Sequence, residues 1–335
     1  MQWHSKMFFM KIAIIKLSAL GDIIHAMAAL QFIKKYQPKY EIDWIVEEPY
    51  RELLINNPDL DDIKTVNLKR INSFRLLLNE IRKIKNFGTY DVVIDAQGLI
   101  KSAIVTRFLN SSERIGFDRS SIREPFATFF YTKRLSISYE KNTIDRMVEL
   151  LCTPFGIEAS RDDILNKNLF IFSSSKVKVP EKPYIVFVIG STWESRNYPK
   201  EKFVRVAKSL KMPCVVLWGT KKEKEKAYWM KKQTELIEVL PYLSLDELKN
   251  VIQNSSLLIG NDTGPTHMAW GLNIPSITLF GPTPIHRVYQ TPINKVLNSS
   301  SKVDQFNLDK NDYSIKEIRV DEIVKISKDL LKVNL

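Results

Sequence analysis

The sequence predicts an α/β fold made of two doubly wound domains with parallel sheets, and three observations carry that expectation. Short β-branched runs such as residues 11–17 alternate with stretches of helical apolar spacing, the pattern of successive βα units. The alternation breaks once, over residues 157–182, where periodicity is lost and lysine and polar content rise, and it restarts at Tyr184. Several of the strands run directly into small polar loops, the edge at which open α/β sheets bind ligands. Domains of 1–160 and 180–335, facing each other across a central cleft, are the expected organisation.

The first half opens with the strand Lys11-Ile-Ala-Ile-Ile-Lys-Leu17 and the turn Ser18-Ala-Leu-Gly-Asp22. Residues 23–36 then show helical spacing. Asp22 therefore falls where a strand end meets a helix start, either as an N-cap or as a carboxylate presented to a ligand. Asp43-Trp-Ile-Val-Glu-Glu48 reads as the second strand and residues 63–68 as a third. Residues 71–85 form a basic amphipathic helix, with Phe74, Leu77, Leu78, Ile81 and Ile84 on one side. Such a helix is an ordinary surface element with a solvated face or one that touches a membrane. Asp91-Val-Val-Ile-Asp-Ala-Gln-Gly98 is a further strand with a polar end, Lys101 opens the next helix, and residues 144–155 close the first half.

In the second half, strands at 184–191, 214–218, 237–240 and 257–261 alternate with helices near 200–210, 221–234 and 244–253. Residues 276–280 read as the last strand and residues 320–331 as a closing helix. The stretch Leu257-Leu-Ile-Gly-Asn-Asp-Thr-Gly-Pro-Thr-His-Met-Ala-Trp-Gly-Leu272 is central. Pro265 suits a first helical position and Gly271 a helix stop. A strand, a small polar loop and a helix leave free N–H groups and a positive dipole end for an anion. Asp262, Thr263 and Thr266 stand at that end. The stretch fits a diphosphate site, or an Asp/Thr cap with no ligand.

Length and composition bound these readings. The chain has 335 residues, 44% of them hydrophobic, enough for two globular cores. No apolar run approaches the roughly 18 residues of a membrane span. The opening Met1–Met10 segment lacks a cleavage site and merges into a strand, so it is not expected to be a signal peptide, and Met7 or Met10 are alternative starts. The two cysteines, Cys152 and Cys214, fit no metal spacing and are expected to be buried thiols of a reducing cytoplasm. The formal net charge of +12 and pI of about 9.4 favour anionic partners, or reflect a lysine-rich proteome. No nucleic-acid module accompanies the charge.

Several chemistries are excluded. There is no G-x-G, no P-loop and no G-x-S-x-G elbow. The four histidines have no metal-ligand spacing. Asp59-Leu-Asp61 follows Asn57-Pro58 rather than a strand end and reads as an acidic turn. Asp262-Thr-Gly264 matches the aspartic-protease triplet only once, in an α/β context.

Taken in order, Lys16-Leu-Ser-Ala-Leu-Gly-Asp22, Asp43–Glu48, Val93-Ile-Asp-Ala-Gln-Gly-Leu-Ile-Lys-Ser102, Arg123-Glu-Pro125, Trp218-Gly219 with Glu223, Val239-Leu-Pro241 and Asn261-Asp-Thr-Gly264 resemble the lipopolysaccharide heptosyltransferases of glycosyltransferase family nine. The resemblance, closest to the type I members, covers nearly the whole chain. It implies a GT-B fold of two Rossmann-like domains, the first binding acceptor and the second nucleotide sugar, with the final helix crossing back. It implies ADP-heptose as donor, the Kdo residue of Kdo-lipid A as acceptor, inversion, no cofactor and no metal. It places the enzyme in the cytoplasm, peripheral to the inner membrane. A transferase acting on a later core acceptor and a GT-B sugar-nucleotide epimerase are the alternative enzymes; a ligand-binding module is the alternative without catalysis.

By motif position the resemblance implies Asp22 as catalytic base. Thr192, Arg196, Glu223, Leu243, Asp262, Thr263, Gly264 and His267 fall at donor-contact positions, and Lys101 and Arg123 at acceptor positions. Arg196 replaces the family's usual lysine, which keeps the charge but changes its geometry. Leu17 and Ala19 stand where hydroxyl residues are common.

Overall fold

The structure is a computed structural model that describes residues 9–181, 183–304 and 307–332. The opening segment weighed above as a leader lies mostly outside the described residues. The chain divides into two compact units, residues 1–170 and 171–335.

The first unit runs β1 (Lys11–Ile15), α1 (Leu20–Tyr36), β2 (Glu41–Glu47), α2 (Arg51–Leu54), β3 (Asp62–Val66), α3 (Phe74–Lys85), β4 (Val92–Asp95), α4 (Ile100–Phe108), β5 (Glu113–Phe117), β6 (Lys133–Leu135), α5 (Thr143–Cys152) and α6 (Arg161–Leu165). Its sheet has the order β3-β2-β1-β4-β5-β6, and every pairing is parallel. Strand order reverses between β1 and β4, the usual ligand crevice of such sheets. Helix α1 is buried along almost its whole length and packs against α5.

The second unit repeats the plan with β7 (Ile185–Val188), α7 (Lys200–Leu210), β8 (Cys214–Leu217), α8 (Lys221–Lys231), β9 (Ile237–Val239), α9 (Leu245–Gln253), β10 (Leu257–Asn261), α10 (Gly264–Gly271), β11 (Ser276–Phe280), β12 (Asn294–Asn298) and α11 (Val320–Lys332). The order is β12-β11-β10-β7-β8-β9, again all parallel, with the reversal between β10 and β7. Helix α11 packs on α7, and Ile323, Leu330 and Leu331 join the second unit's core. These two sheets with their helices are the GT-B class of fold.

Three strands escape the periodicity reading. β5 (ERIGF) and β6 (KRL) carry charge on short segments, and β12 (NKVLN) is a sheet edge with polar ends. β6 and β12 are edges, where polar residues break apolar alternation, and β5, though interior, is too short and charged at its start to show it. Ser276–Phe280 is therefore not the last strand. The apolar run after Arg123 is a 3₁₀ helix, Pro125–Phe130. Both cysteines are buried and free; burial pushes each thiol up to about 12. No helix among the described residues is long and apolar enough to cross a membrane.

Candidate active site

In the second unit the key loop leaves β10, a fully buried strand held between β7 and β11. Gly260 allows α10 to turn back closely. A Cβ there would stand 2.6 Å from both Thr266 Oγ1 and Val188, and Thr266 Oγ1 donates to the Asn261 carbonyl at 2.7 Å. Asn261 is buried and accepts the Tyr198 N–H at 3.0 Å, tying this loop to the one after β7.

Asp262 is the hub. Its Oδ2 accepts from Arg196 at 2.7 Å and from Thr283 Oγ1 at 2.9 Å. Its Oδ1 lies 3.2 Å from His267 Nε2, and Arg196 also donates to its backbone carbonyl. Burial alone would raise this carboxyl's pKa. The His267 hydrogen bond and the charges of Arg287 and Arg196 outweigh burial and hold it far below the usual range. Asp262 is thus an internal anchor that orients Arg196, His267 and Thr283. Thr263 and Gly264, at the start of α10, remain partly exposed, with the helix's free N–H groups.

The loop after β7 supplies the rest. Arg196 is desolvated, which lowers its pKa against the opposing charge of Asp262. Ser191 Oγ, Ser195 Oγ and Arg196 Nε are buried without a hydrogen-bond partner. Three unsatisfied polar groups in one six-residue loop are an exception to the rule that buried polar groups are paired. Lys222 and Lys226 clamp Glu194 at 2.9 and 2.6 Å and hold its carboxyl at about 2, fixing the loop to α8. Thr192 is exposed in the same loop.

Glu223 sits one strand over. Its Oε2 accepts the N–H of Gly219 at 2.7 Å and of Thr220 at 3.1 Å, capping α8. The same carboxylate lies against Gly190, where a Cβ would overlap its Oε1. Trp218 is partly buried against the core, with its Nε1 donating to the Leu240 carbonyl at 2.8 Å. Leu243 is half-buried between β9 and α9 and is not drawn into the Asp262 cluster.

In the first unit, Asp22 is the third residue of α1 rather than its N-cap; the N-cap is Ala19. Asp22 Oδ2 accepts the Ala19 N–H at 3.4 Å. The loop before it is held by Gln97, whose Oε1 accepts the N–H groups of Leu17 and Ser18, each at 3.1 Å. Lys16 is buried beneath, with Nζ donating to the Ala96 carbonyl at 2.8 Å. Burial lowers its pKa, while the charges of Asp22 and Asp95 oppose that shift. Asp22 therefore starts its helix at the point of strand-order reversal, with a buried ammonium nearby. Lys101 lies on α4, and its charge acts on the buried Glu47. Arg123 is exposed just before the 3₁₀ helix. Glu124 Oε2 accepts the Ile100 N–H at 2.7 Å, joining the Arg123 loop to the start of α4.

The structure thus groups Arg196, Asp262, Thr263, Gly264 and His267, sets Glu223 in the first turn of α8 and Thr192 on the loop after β7, and leaves Leu243 apart. Sequence reasoning missed Thr283 and Arg287, which reach Asp262 from the turn after β11. The signal was there: Gly281-Pro-Thr-Pro284 is also a strand end running into a polar turn. Ser191, Ser195, Lys16 and Gln97 carried no spacing that marks them.

Two switch-point sheets, one ending in a cationic, N–H-rich loop, suit a protein that binds an anionic ligand such as a nucleotide. Comparison with known proteins agrees. Residues 80–314 match the family described as glycosyltransferase family 9 (heptosyltransferase). Lipopolysaccharide heptosyltransferase 1 of Campylobacter coli is 40% identical, covering 96% of this chain and 99% of its own. The Pseudomonas aeruginosa protein of the same description is 32% identical, over 82% and 79%. Among solved structures, E. coli heptosyltransferase WaaC with ADP-2-deoxy-2-fluoro heptose superposes with a TM-score of 0.79 at 23% identity, covering 96% of this chain and 99% of that one. E. coli ADP-heptose lps heptosyltransferase II does so at 0.72 and 19%, over 97% and 99%. The chain belongs to glycosyltransferase family 9, the heptosyltransferases, and is a glycosyltransferase.

Proposed function

We propose that the chain transfers heptose from ADP-heptose to the Kdo residue of Kdo-lipid A, with inversion, in building the inner core of lipopolysaccharide. The second unit holds the donor and the first the acceptor, at the cytoplasmic face of the inner membrane. The observation that carries the donor half is the Arg196–Asp262 anchor beside the unpaired Ser191 Oγ, Ser195 Oγ and Arg196 Nε. Buried donors of this kind suit an anion, and the α10 N-terminus adds a positive dipole end. The 40% identity to the Campylobacter coli enzyme over nearly both full lengths supports the choice of heptose and acceptor.

As the glycosidic bond to ADP breaks, negative charge develops on the β-phosphate. Arg196 and the N–H groups of Thr263 and Gly264 stabilise that charge. Thr283 and His267 keep the Asp262 anchor, and hence Arg196, in place. Asp22 takes the proton of the attacking acceptor hydroxyl, which is a poor nucleophile until that proton leaves. The charge of Asp22 acts in turn on the buried Lys16 ammonium beneath it. Glu223 presents its carboxylate to ribose hydroxyls, and Thr192, Leu243 and His267 complete the donor contacts. Lys101 and Arg123 pair with the acidic groups of the acceptor.

The test is mass spectrometry of the product formed from ADP-heptose and Kdo-lipid A, run beside an already heptosylated core. Addition of one heptose to Kdo-lipid A supports the assignment. Addition only to the longer core moves the enzyme to a later step, and donor turnover without acceptor makes it an epimerase. Activity is expected to survive EDTA, because the charge on ADP is met by protein groups; abolition by EDTA would overturn that account.

A further inference from the structure

Helix α3 packs only the later part of its apolar side, with Leu78 and Ile81 half-buried, and leaves its start uncovered. Only Ile84 is fully buried, while Phe74 is 73% exposed and Leu76 and Leu77 are also exposed. Helix α4 packs beside α3 and against the 3₁₀ helix 125–130. It turns Ile100 and Ile104 outward, one helical turn apart. In the 3₁₀ helix, Phe126 and Phe129 fall three apart, on one eclipsed edge. They are 70% and 73% exposed, with ring centroids 6.2 Å apart. These three adjacent elements carry seven of the fourteen large exposed apolar side chains among the described residues. An apolar surface of this kind marks an interaction site rather than scattered exposure.

The charge around it selects the partner. Segments 69–85, 100–108 and 119–134 contain twelve Lys or Arg residues against two carboxylates, Glu80 and Glu124. Both acids are turned onto backbone: Glu80 accepts the Asn67 N–H at 2.9 Å and Glu124 the Ile100 N–H at 2.7 Å. Lys83 and Lys133 pair loosely with Glu80 and Glu113, at 3.8 and 3.9 Å, which leaves a large excess of positive charge. Apolar side chains rimmed by such an excess are complementary to an anionic bilayer, with rings at the acyl boundary and cations at the headgroups. We propose that the α3, α4 and 125–130 face docks on an anionic lipid surface. This deepens the proposed function, which puts the acceptor on a lipid: Lys101 and Arg123 belong to the same elements, so docking brings the acceptor's head group to them.

The experiment is flotation of the full chain with phosphatidylcholine vesicles, with and without about one-third phosphatidylglycerol, at about 0.05 and about 0.5 M salt. Binding should require the anionic lipid and weaken at high salt. The double variants Phe126→Ser/Phe129→Ser and Phe74→Ser/Leu77→Ser should each lower partitioning at least tenfold. Both should retain the wild-type melting temperature and turnover on a deacylated, water-soluble acceptor. Failure of the wild type to float with anionic vesicles, or unchanged partitioning of both variants, overturns the proposal. So does a wild-type dimer that these substitutions dissociate without altering flotation, since the face would then serve a second copy. No turnover of the deacylated acceptor alongside intact vesicle binding would instead count against the transferase reading.

Discussion

Gly190→Ala is a small change whose effect can be worked from the geometry. The new Cβ would overlap Glu223 Oε1 and Cδ and stand 2.9 Å from Oε2. Glutamate can swing away, but only by releasing the N–H groups of Gly219 and Thr220. Loss of such a cap costs about 0.5–2 kcal/mol. The part-exposed carboxylate puts the expected loss at about 1–2 kcal/mol. Alanine for glycine restores about 0.4–1 kcal/mol by restricting the unfolded chain. The single variant should therefore lose up to about 1.6 kcal/mol net. In a Glu223→Ala background there is nothing to displace, and the same substitution should stabilise. The sign reversal is measured by urea unfolding in a double-mutant cycle. Trp193, Trp218, Trp229 and Trp270 all lie in the second unit, so tryptophan fluorescence reports chiefly on the relevant half. If Glu223 meets the donor, Gly190→Ala should also raise the donor KM as Glu223→Ala does. An identical destabilisation by Gly190→Ala in both backgrounds would refute the packing on which this rests.

Asp22→Ala should lower kcat by about 10²–10⁴-fold, the usual scale for a general base, while calorimetry finds ADP binding within about twofold; near-wild-type turnover removes the base role. Arg196→Ala breaks a buried ion pair, at a cost near the lower end of about 3–5 kcal/mol, because His267 and Thr283 still contact Asp262. Donor kcat/KM should fall at least tenfold and recover only in part in Arg196→Lys, whereas unchanged stability and kcat/KM together would take Arg196 out of the site. Lys167 gives a pH signature: burial pushes its ammonium from 10.5 down to about 7. Between those values the unfolded chain holds a proton that the folded chain has lost, so stability should rise with pH by up to about 1.4 kcal/mol per unit. Lys167→Met should flatten that rise in urea titrations from pH 7.5 to 9.5; equal slopes in the two proteins would contradict it.

Much of the second unit's site could be read in advance because it obeys local rules. Gly260 through Gly271 encode strand, turn and helix within one short segment, so Asp262, Thr263 and Gly264 stand out without any long-range information. Arg196 was placed by motif position, and its hydrogen bond to Asp262 spans 66 residues, beyond any periodicity. Asp262 read from its loop position as a ligand contact or a helix cap; its burial and its three protein partners, Arg196, Thr283 and His267, were visible only in the structure. The spacing of helix α3 left open a packed surface helix or one that touches a membrane, because spacing fixes only which residues share a face, not whether anything covers it.

What the chain order determined by itself is the βα alternation, the break near its middle and the position of Asp22 and Asp262 at strand ends. These follow from short-range preferences: β-branched runs, helical periodicity, and glycine or proline where a strand must stop. Tertiary structure alone decided that Thr283 and Arg196 converge on one carboxylate, that Gln97 holds the loop leading to Asp22, and that Glu223 rests on Gly190. Those pairings join parallel strands adjacent in space but separated in sequence by whole βα units, and burial then sets which charges must pair and which carboxylates stay ionised.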